Sequence, residues 1–294
     1  MNVRQQHFGL RRSSHPVVNS ISANAALGIL LLLIAILALI ACSIPRIPQP
    51  LSYHLFADGR SFAGIPNFGD VASNLPFAII GIGGMVFLLP SRSTARDRQF
   101  LDRREIWPYA TFFIGLLLTA FGSTYYHLAP DNARLLWDRL PLTITFMSVV
   151  AAVIAERVDV GLGLRLLPIL LCVGFASVLQ WYWSETSGAG DMRFYAAVQA
   201  CSALVLLLAL LLPSRYTRSS DLGLLLGFYC LAKAFEFFDI PVFTLLHVVS
   251  GHTLKHLAAA AAGLSVLQML RKRDPLSMAQ PLLPCALMVR NDHD

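Results

Sequence analysis

Apolar residues run through this chain in long blocks rather than in alternation or in narrow stripes. Eight blocks stand out, at 24–44, 68–89, 107–128, 135–155, 163–183, 194–212, 221–239 and 251–270. Each approaches the ~20 apolar residues that carry an α-helix across a hydrocarbon core. In such a core every backbone polar group must be paired internally, which leaves helices and closed barrels as the spanning structures. A barrel would need short alternating segments, and none appear. Polar breaks such as Pro90-Ser91-Arg92-Ser93 and Pro213-Ser214-Arg215 separate the blocks. The pattern predicts an all-α polytopic membrane helix bundle of eight spans. No internal repeat is visible, and the paired Gly/Pro-broken repeats that mark many transporters are missing.

Composition removes the remaining soluble readings. The 294 residues are 56% hydrophobic and 14% charged, with a mean hydropathy of +0.61. A soluble domain carries about 25% charged residues, so this chain has too few to cover a water-facing surface. Soluble globular, nucleic-acid-binding and disordered classes are excluded. The net charge of +6 therefore bears on topology, because Lys and Arg mark cytoplasmic loops. With the N-terminus inside, 16 Lys and Arg fall in inside segments and 5 in outside loops or their edges, while Lys233 and Lys255 lie within spans. This bias predicts both termini in the cytoplasm, most simply of a bacterial inner membrane. A rival reading exists for the first block. Leu39-Ile40-Ala41-Cys42 resembles a bacterial lipoprotein cleavage box, and cleavage there would leave seven spans and an outside N-terminus. The five cysteines show no CxxC and no regular spacing, so neither a disulfide framework nor a cysteine metal site is expected.

Ionisable groups inside spans are expensive and mark function by default. Here they gather. The third block ends Gly122-Ser123-Thr124-Tyr125-Tyr126-His127, the fourth opens near Trp137-Asp138-Arg139, and the eighth opens Ser250-Gly251-His252-Thr253-Leu254-Lys255-His256. By the charge count all three lie at one depth, near the outer face. His252 and His256 are i and i+4 and project from one helix face. His127 adds a third imidazole at the same level. Three neutral His with an open fourth position make the pattern of a catalytic zinc site, where zinc brings the pKa of its water to about 7. Ser123, i−4 to His127, can donate to a developing oxyanion. Asp138, just across a short loop, can move the proton of the attacking water. Bland alternatives stand beside these. Asp138 can pair with Arg134 or Arg139, and Ser123 can bond its own helix carbonyl.

Ser123-x-x-x-His127, Asp138 eleven residues later, and His252-x-x-x-His256 together resemble the alkaline ceramidases. More broadly they resemble the superfamily that includes adiponectin-receptor-like, hemolysin-III-like and GPI-remodelling membrane hydrolases. Asn67-Phe-Gly-Asp70-Val-Ala-Ser73-Asn74-Leu-Pro-Phe resembles the family motif before its first helix. Gly190-Asp191-Met-Arg193 and Ser250–His256 resemble the bacterial branch. The likeness covers about residues 53–271. It implies a seven-helix hydrolase core there; the block at 24–44 is then an extra transmembrane helix that departs from the family, and the charge count puts 1–23 and 272–294 in the cytoplasm. The likeness implies zinc at His127, His252 and His256, with Ser123 and Asp138 assisting water attack on a lipid amide. The implied class is a zinc amidohydrolase acting on linear amides. The family substrate is ceramide, a membrane lipid, split into a sphingoid base and a fatty acid. The alternatives are another lipid ester or N-acyl lipid, or a non-enzymatic membrane sensor with structural zinc. The animal enzymes bind calcium through a dense acidic N-terminal segment. This chain lacks it and offers only Asp58, Asn67 and Asp70 as calcium candidates.

Four further expectations concern the remaining polar groups. Lys233 and Glu236, at i and i+3, form a structural ion pair. Lys255 falls on a different face from the histidines and snorkels outward or meets a lipid phosphate. Trp181, Tyr182 and Trp183 form an interfacial aromatic belt. Glu185, Asp191 and Arg193 hold an outer loop together or contact a lipid head group.

Overall fold

The computed structural model describes residues 23–89 and 99–276. Arg4, Arg11, Arg12, Arg92, Arg96, Arg98, Cys285 and Arg290, with most of both terminal segments, lie outside the described residues. Among the described residues the chain is all-α, and the only β-type pairings are two isolated bridges. The helices are α1 (Ala23–Ser43), α2 (Phe68–Ala72), α3 (Leu75–Leu88), α4 (Ile106–Leu128), α5 (Asn132–Arg157), α6 (Val160–Thr186), α7 (Arg193–Leu210), α8 (Asp221–Phe237), α9 (Asp239–Leu246) and α10 (Gly251–Lys272). Six segments are long and apolar enough to cross a membrane: α2 with α3, α4 with its leading turn, α5, α6, α7 and α10. This is the pattern of an integral membrane protein.

Two blocks expected to be unbroken helices are interrupted, each for the same reason. Proline lacks an N–H and its ring clashes with the carbonyl four residues back. Pro76 is four residues past Ala72, where α2 stops, and Ser73-Asn74 separates α2 from α3. Pro241 is four residues past Phe237, where α8 stops, and α9 starts anew at Asp239. The seventh block is therefore a helix of 17 residues, about 26 Å long at 1.5 Å per residue, followed by a short one. The first block is a single helix, α1, packed on α7. Its Leu31, Leu32 and Leu39 face outward.

The core sits around α5, which is buried on every side from Met147 to Arg157. Lipid tails are as apolar as leucine, so helices in a membrane associate through close packing and buried polar contacts rather than by escaping water. Gly122 shows the first device. A Cβ there would lie 2.0 Å from the Trp137 carbonyl oxygen, so only glycine lets α4 meet α5 at this level. Pro141 cannot donate a hydrogen bond to that carbonyl, and the carbonyl faces the glycine instead. The small-residue run of α10 likewise buries Ala258 and Ala260, and α10 packs against α8 and α3. These contacts fix the ends of α4, α5 and α10 relative to one another, and the site is built on those ends.

Candidate metal centre

His127 stands on the last turn of α4, and His252 and His256 on the first turns of α10. α10 starts where it does because Ser250 caps it, its hydroxyl accepting from Thr253 N at 3.0 Å. Gly251 lets that start press against the α8–α9 break, since a Cβ would lie 2.5 Å from the Phe235 carbonyl oxygen and 2.6 Å from the Asp239 Cα. The three imidazoles converge. Their ligand atoms lie within 4.8 Å of one another, and each pair of ring centroids is 4.9 Å apart. All three are buried. Among the described residues this is the one group of His, Cys, Asp or Glu near enough to share a metal ion.

The hydrogen bonds around the rings fit a metal. Both ring nitrogens of His127 are buried without a partner. A buried polar atom left unpaired costs about 1–3 kcal/mol, and a metal ion would take up that lone pair. The tautomer of His256 follows from its neighbours. Ser73 donates its only proton to the Asp70 carbonyl at 3.0 Å. Its hydroxyl oxygen, 2.8 Å from His256 Nδ1, must then accept. The Asp70 carbonyl, 3.2 Å from the same nitrogen, is also an acceptor. Nδ1 thus carries the proton and Nε2 presents its lone pair, the arrangement that outer-shell partners impose on ligating histidines. Asp239 steadies the second ligand. Its Oδ1 accepts from His252 N at 2.7 Å and its Oδ2 from Ala57 N at 2.9 Å. Asn67 holds the third, donating from Nδ2 to the His127 carbonyl at 2.8 Å. Phe56 closes one side, its ring 4.6 Å from His127 and 4.5 Å from His252. The residues present can hold a metal ion.

Ser123 and Asp138 are both buried and lie beside each other. Asp138 makes neither of the local pairs considered from the sequence. Arg134 turns to Asp131, at 3.9 Å, and to the face of Tyr125. Arg139 turns to Gln49 and to three aromatic rings. Asp138 also lines a cavity of about 240 Å³. The cavity begins among Tyr53, Asp138, Arg139, Glu236 and Lys255 and continues between apolar side chains such as Leu116, Leu206 and Leu225. Val149 lines it too, eleven residues on from Asp138, so it follows α5 for about 16 Å. The three histidines are not part of its wall; Lys255, which lines it, lies 3.5 Å from His252 Nε2.

The calcium candidates have other partners. Asp58 is held by Arg60, with Oδ1–Nε and Oδ2–Nη2 both at 2.7 Å. These bonds keep its carboxyl below the usual carboxylate range and leave a cation in the place calcium would need. Asn67 serves His127. Asp70 accepts from Thr253 Oγ1 at 2.7 Å, which ties α2 to α10. The geometry gives calcium at Asp58, Asn67 and Asp70 no support.

Lys255 does not reach outward. Its Nζ lies 2.7 Å from Glu236 Oε1 and 3.5 Å from His252 Nε2. A half-buried carboxylate on α8 offers it a better partner than the surface does. Glu236 does pair with Lys233, at 2.7 Å, and also accepts from Tyr53 at 3.0 Å. Burial, with Glu236 beside it, pushes the Tyr53 hydroxyl up to about 12, so it stays a donor. Trp181 leaves the expected aromatic belt. It is fully buried beneath Arg139, whose Cζ lies 4.0 Å from its ring, while Trp183 is 77% exposed. Asp191 and Arg193 do hold a loop together, at 2.8 Å, and Glu185 accepts from Gln49 N at 2.6 Å. The outer partners Ser73 and Asp239 escape a reading by hydropathy, yet Pro76 and Pro241 mark the breaks that expose them. No family model matches the chain, and no curated protein matches it.

Proposed function

We propose that the chain is a zinc-dependent membrane hydrolase that cleaves a lipid amide of ceramide type. The observation that carries this reading is the adjacency of three functions. A buried three-histidine centre, a Ser123–Asp138 pair, and an apolar cavity starting at Asp138 occupy one end of the bundle. Zinc suits an all-imidazole donor set, and when bound it supplies a Lewis acid that polarises a carbonyl and acidifies water. The cavity takes an acyl chain along α5 and leaves its amide at Asp138. Asp138 accepts a proton from the attacking water and returns it to the departing nitrogen. The C–O bond to water's oxygen forms first, and the C–N bond breaks once the nitrogen has taken the proton, so the nitrogen leaves as an amine. Ser123, beside Asp138, donates to the carbonyl oxygen as negative charge grows there.

The test is metal content and lipid turnover on one purified sample, for wild type and for the His252→Ala, His256→Ala double variant. Wild type should carry about one zinc and release fatty acid from ceramide; the variant should do neither. Turnover that survives the double replacement overturns the reading. Zinc without turnover of any lipid amide or ester favours the sensor alternative.

The same reading has an orientation. The Lys and Arg bias supports cytoplasmic termini in a bacterial inner membrane, with the histidine end at the outer face. A fluorescent protein fused after Asp294 should light up in cells, and a periplasmic phosphatase at that point should stay inactive.

A further inference from the structure

Arg139 is a buried cation without an anion. It is 3% exposed and lines the cavity. Its Nη2 donates to Gln49 Oε1, whereas Nη1 is buried with no acceptor at all. Its guanidinium stacks among Trp181 at 4.0 Å, Tyr195 at 4.8 Å and Tyr53 at 5.7 Å. Such faces favour a cation and hold its plane still, yet they accept no hydrogen bond in the way a carboxylate does.

The charges around it do not supply the missing partner. Glu236 is taken by Lys233 and Lys255, each at 2.7 Å. Asp138, beside Ser123, forms no ion pair with Arg139. No carboxylate pairs with Arg139 among the described residues. The lining of the polar end therefore sums to three cations, Arg139, Lys233 and Lys255, against two anions, Asp138 and Glu236. A buried charge is retained at great expense unless something pairs with it. A guanidinium fixed in orientation with free donors is the preferred receptor for a carboxylate or a phosphate.

We propose that Arg139 receives an anionic head group, a carboxylate or phosphate, on the lipid that enters the cavity. The position suits a substrate in which the anion lies a few bonds from the scissile amide, because Asp138 and Arg139 are consecutive residues that line one cavity. An N-acyl amino acid and a phosphorylated ceramide both have this form. The assignment rests on reading the cavity as the substrate's site, and it narrows that substrate from lipid amides in general to anionic ones. Gln49 is a positioning residue here. It comes from the strap after α1, which is tied to α7 by Met192 N donating to the Ile47 carbonyl at 2.8 Å.

Binding separates this from hydrolysis. The full chain in detergent is titrated as purified and after chelation. The probes are N-palmitoylglycine, its neutral methylamide, ceramide 1-phosphate and ceramide. At least one charged probe should bind about tenfold tighter than its neutral partner or more, with or without metal. The pair that shows the preference identifies carboxylate or phosphate. Arg139→Gln should bring the ratio to about one, with zinc content unchanged. A wild-type ratio near one, a ratio lost on chelation, or a ratio that survives R139Q overturns the proposal. Should R139Q fail to fold, Arg139→Lys keeps the charge but loses the planar fork, and an unchanged ratio there overturns it equally. If no lipid amide is cleaved while the charge preference stands, the hydrolase reading falls and Arg139 keeps its role.

Discussion

The same three helices carry a buried polar cluster at each end, and the two clusters differ in what they leave undone. At one end α4 and α10 bring His127, His252 and His256 together, and Asp138 of α5 lies beside Ser123 of α4. At the other, Glu105 and Tyr109 at the start of α4, Glu156 at the end of α5 and Arg273 just past α10 meet Tyr216. This second cluster pairs its charges with one another, although Glu105 Oε1 and Arg273 Nη2 are left without a hydrogen bond. Arg273 binds Glu156, faces Glu105 at 3.9 Å, and lies 4.0 Å over Tyr216. Its Nε donates to the Gln99 carbonyl at 3.0 Å and Tyr109 donates to Glu156 at 2.7 Å. The ion-pair end is thus a clasp. The histidine end has orphaned nitrogens on His127, an orphaned nitrogen on Arg139, and a cavity at its edge. Buried polarity alone does not mark a site. Unspent bonding capacity beside an open space does.

Removing His127 should break that contrast most completely. His127→Ala takes away one of three ligands and also the two orphaned atoms. Metal content should fall to background, and lipid turnover with it. In wild type, chelation should lower the thermal midpoint, because an ion that binds only the folded state stabilises it. In H127A, chelator should have no effect on the midpoint. A chelator-sensitive midpoint in the variant would place the metal elsewhere.

The clasp should answer in the opposite sense. Arg273→Met leaves Glu156 and Glu105 buried without their cation, and breaking a buried pair in this way costs about 3–5 kcal/mol. Thermal unfolding in detergent should show a large fall in midpoint, while zinc bound per folded molecule stays as in wild type. A variant that lost metal but kept its stability would reverse the roles given to the two ends.

Much of this was legible in the chain. Block length predicted the bundle, and the His spacing predicted the cluster, because spacing on a helix fixes a shared face. What hydropathy hid were the breaks. Residues 68–89 and 221–239 read as apolar throughout, yet Pro76 and Pro241 end their helices at Ala72 and Phe237. The freed residues are the ones that orient the ligands, Ser73 on His256 and Asp239 on His252. Lys255 departs from the expected outward reach for another reason. Helical spacing gives the direction of a side chain's root, and the carboxylate of Glu236, on a different helix, decided where its tip went. Trp181 shares its neighbours' aromatic pattern, and only tertiary packing places Arg139 above it.

Those orienting residues give a smaller effect than the ligands do. Ser73→Ala removes the acceptor that fixes the His256 tautomer, leaving the Asp70 carbonyl at the longer distance of 3.2 Å. Replacing such an outer partner costs about 10–100-fold in metal affinity or activity. Competition with a metal-sensing dye should show zinc held in S73A but released at lower chelator concentration. Affinity equal to wild type would mean that the Asp70 carbonyl suffices alone, and that the break at Ser73 serves only packing.

The smallest effect sharpens the comparison from outside both clusters. Asp191, in the loop leading into α7, is paired with Arg193 at 2.8 Å and is kept below the usual carboxylate range first by that hydrogen bond. A carboxyl whose folded pKa lies below its unfolded value of about 3.9 contributes stability above that value. The contribution is lost as pH falls through the folded pKa. Wild type should therefore lose a small part of its stability on descent below about pH 4. Asp191→Asn should lack that component, starting lower at neutral pH and falling less steeply. A single ion pair of this kind contributes little, so the difference is a shift of a few degrees. Because the pair also holds Arg193 against the Ile44 carbonyl at the end of α1, the same variant should loosen the strap that carries Gln49 to Arg139. The anionic-lipid preference should then weaken slightly, while zinc content and the clasp stay untouched. An unchanged acid profile would assign the loop's stability to the backbone bond from Met192 to Ile47 instead of to the ion pair.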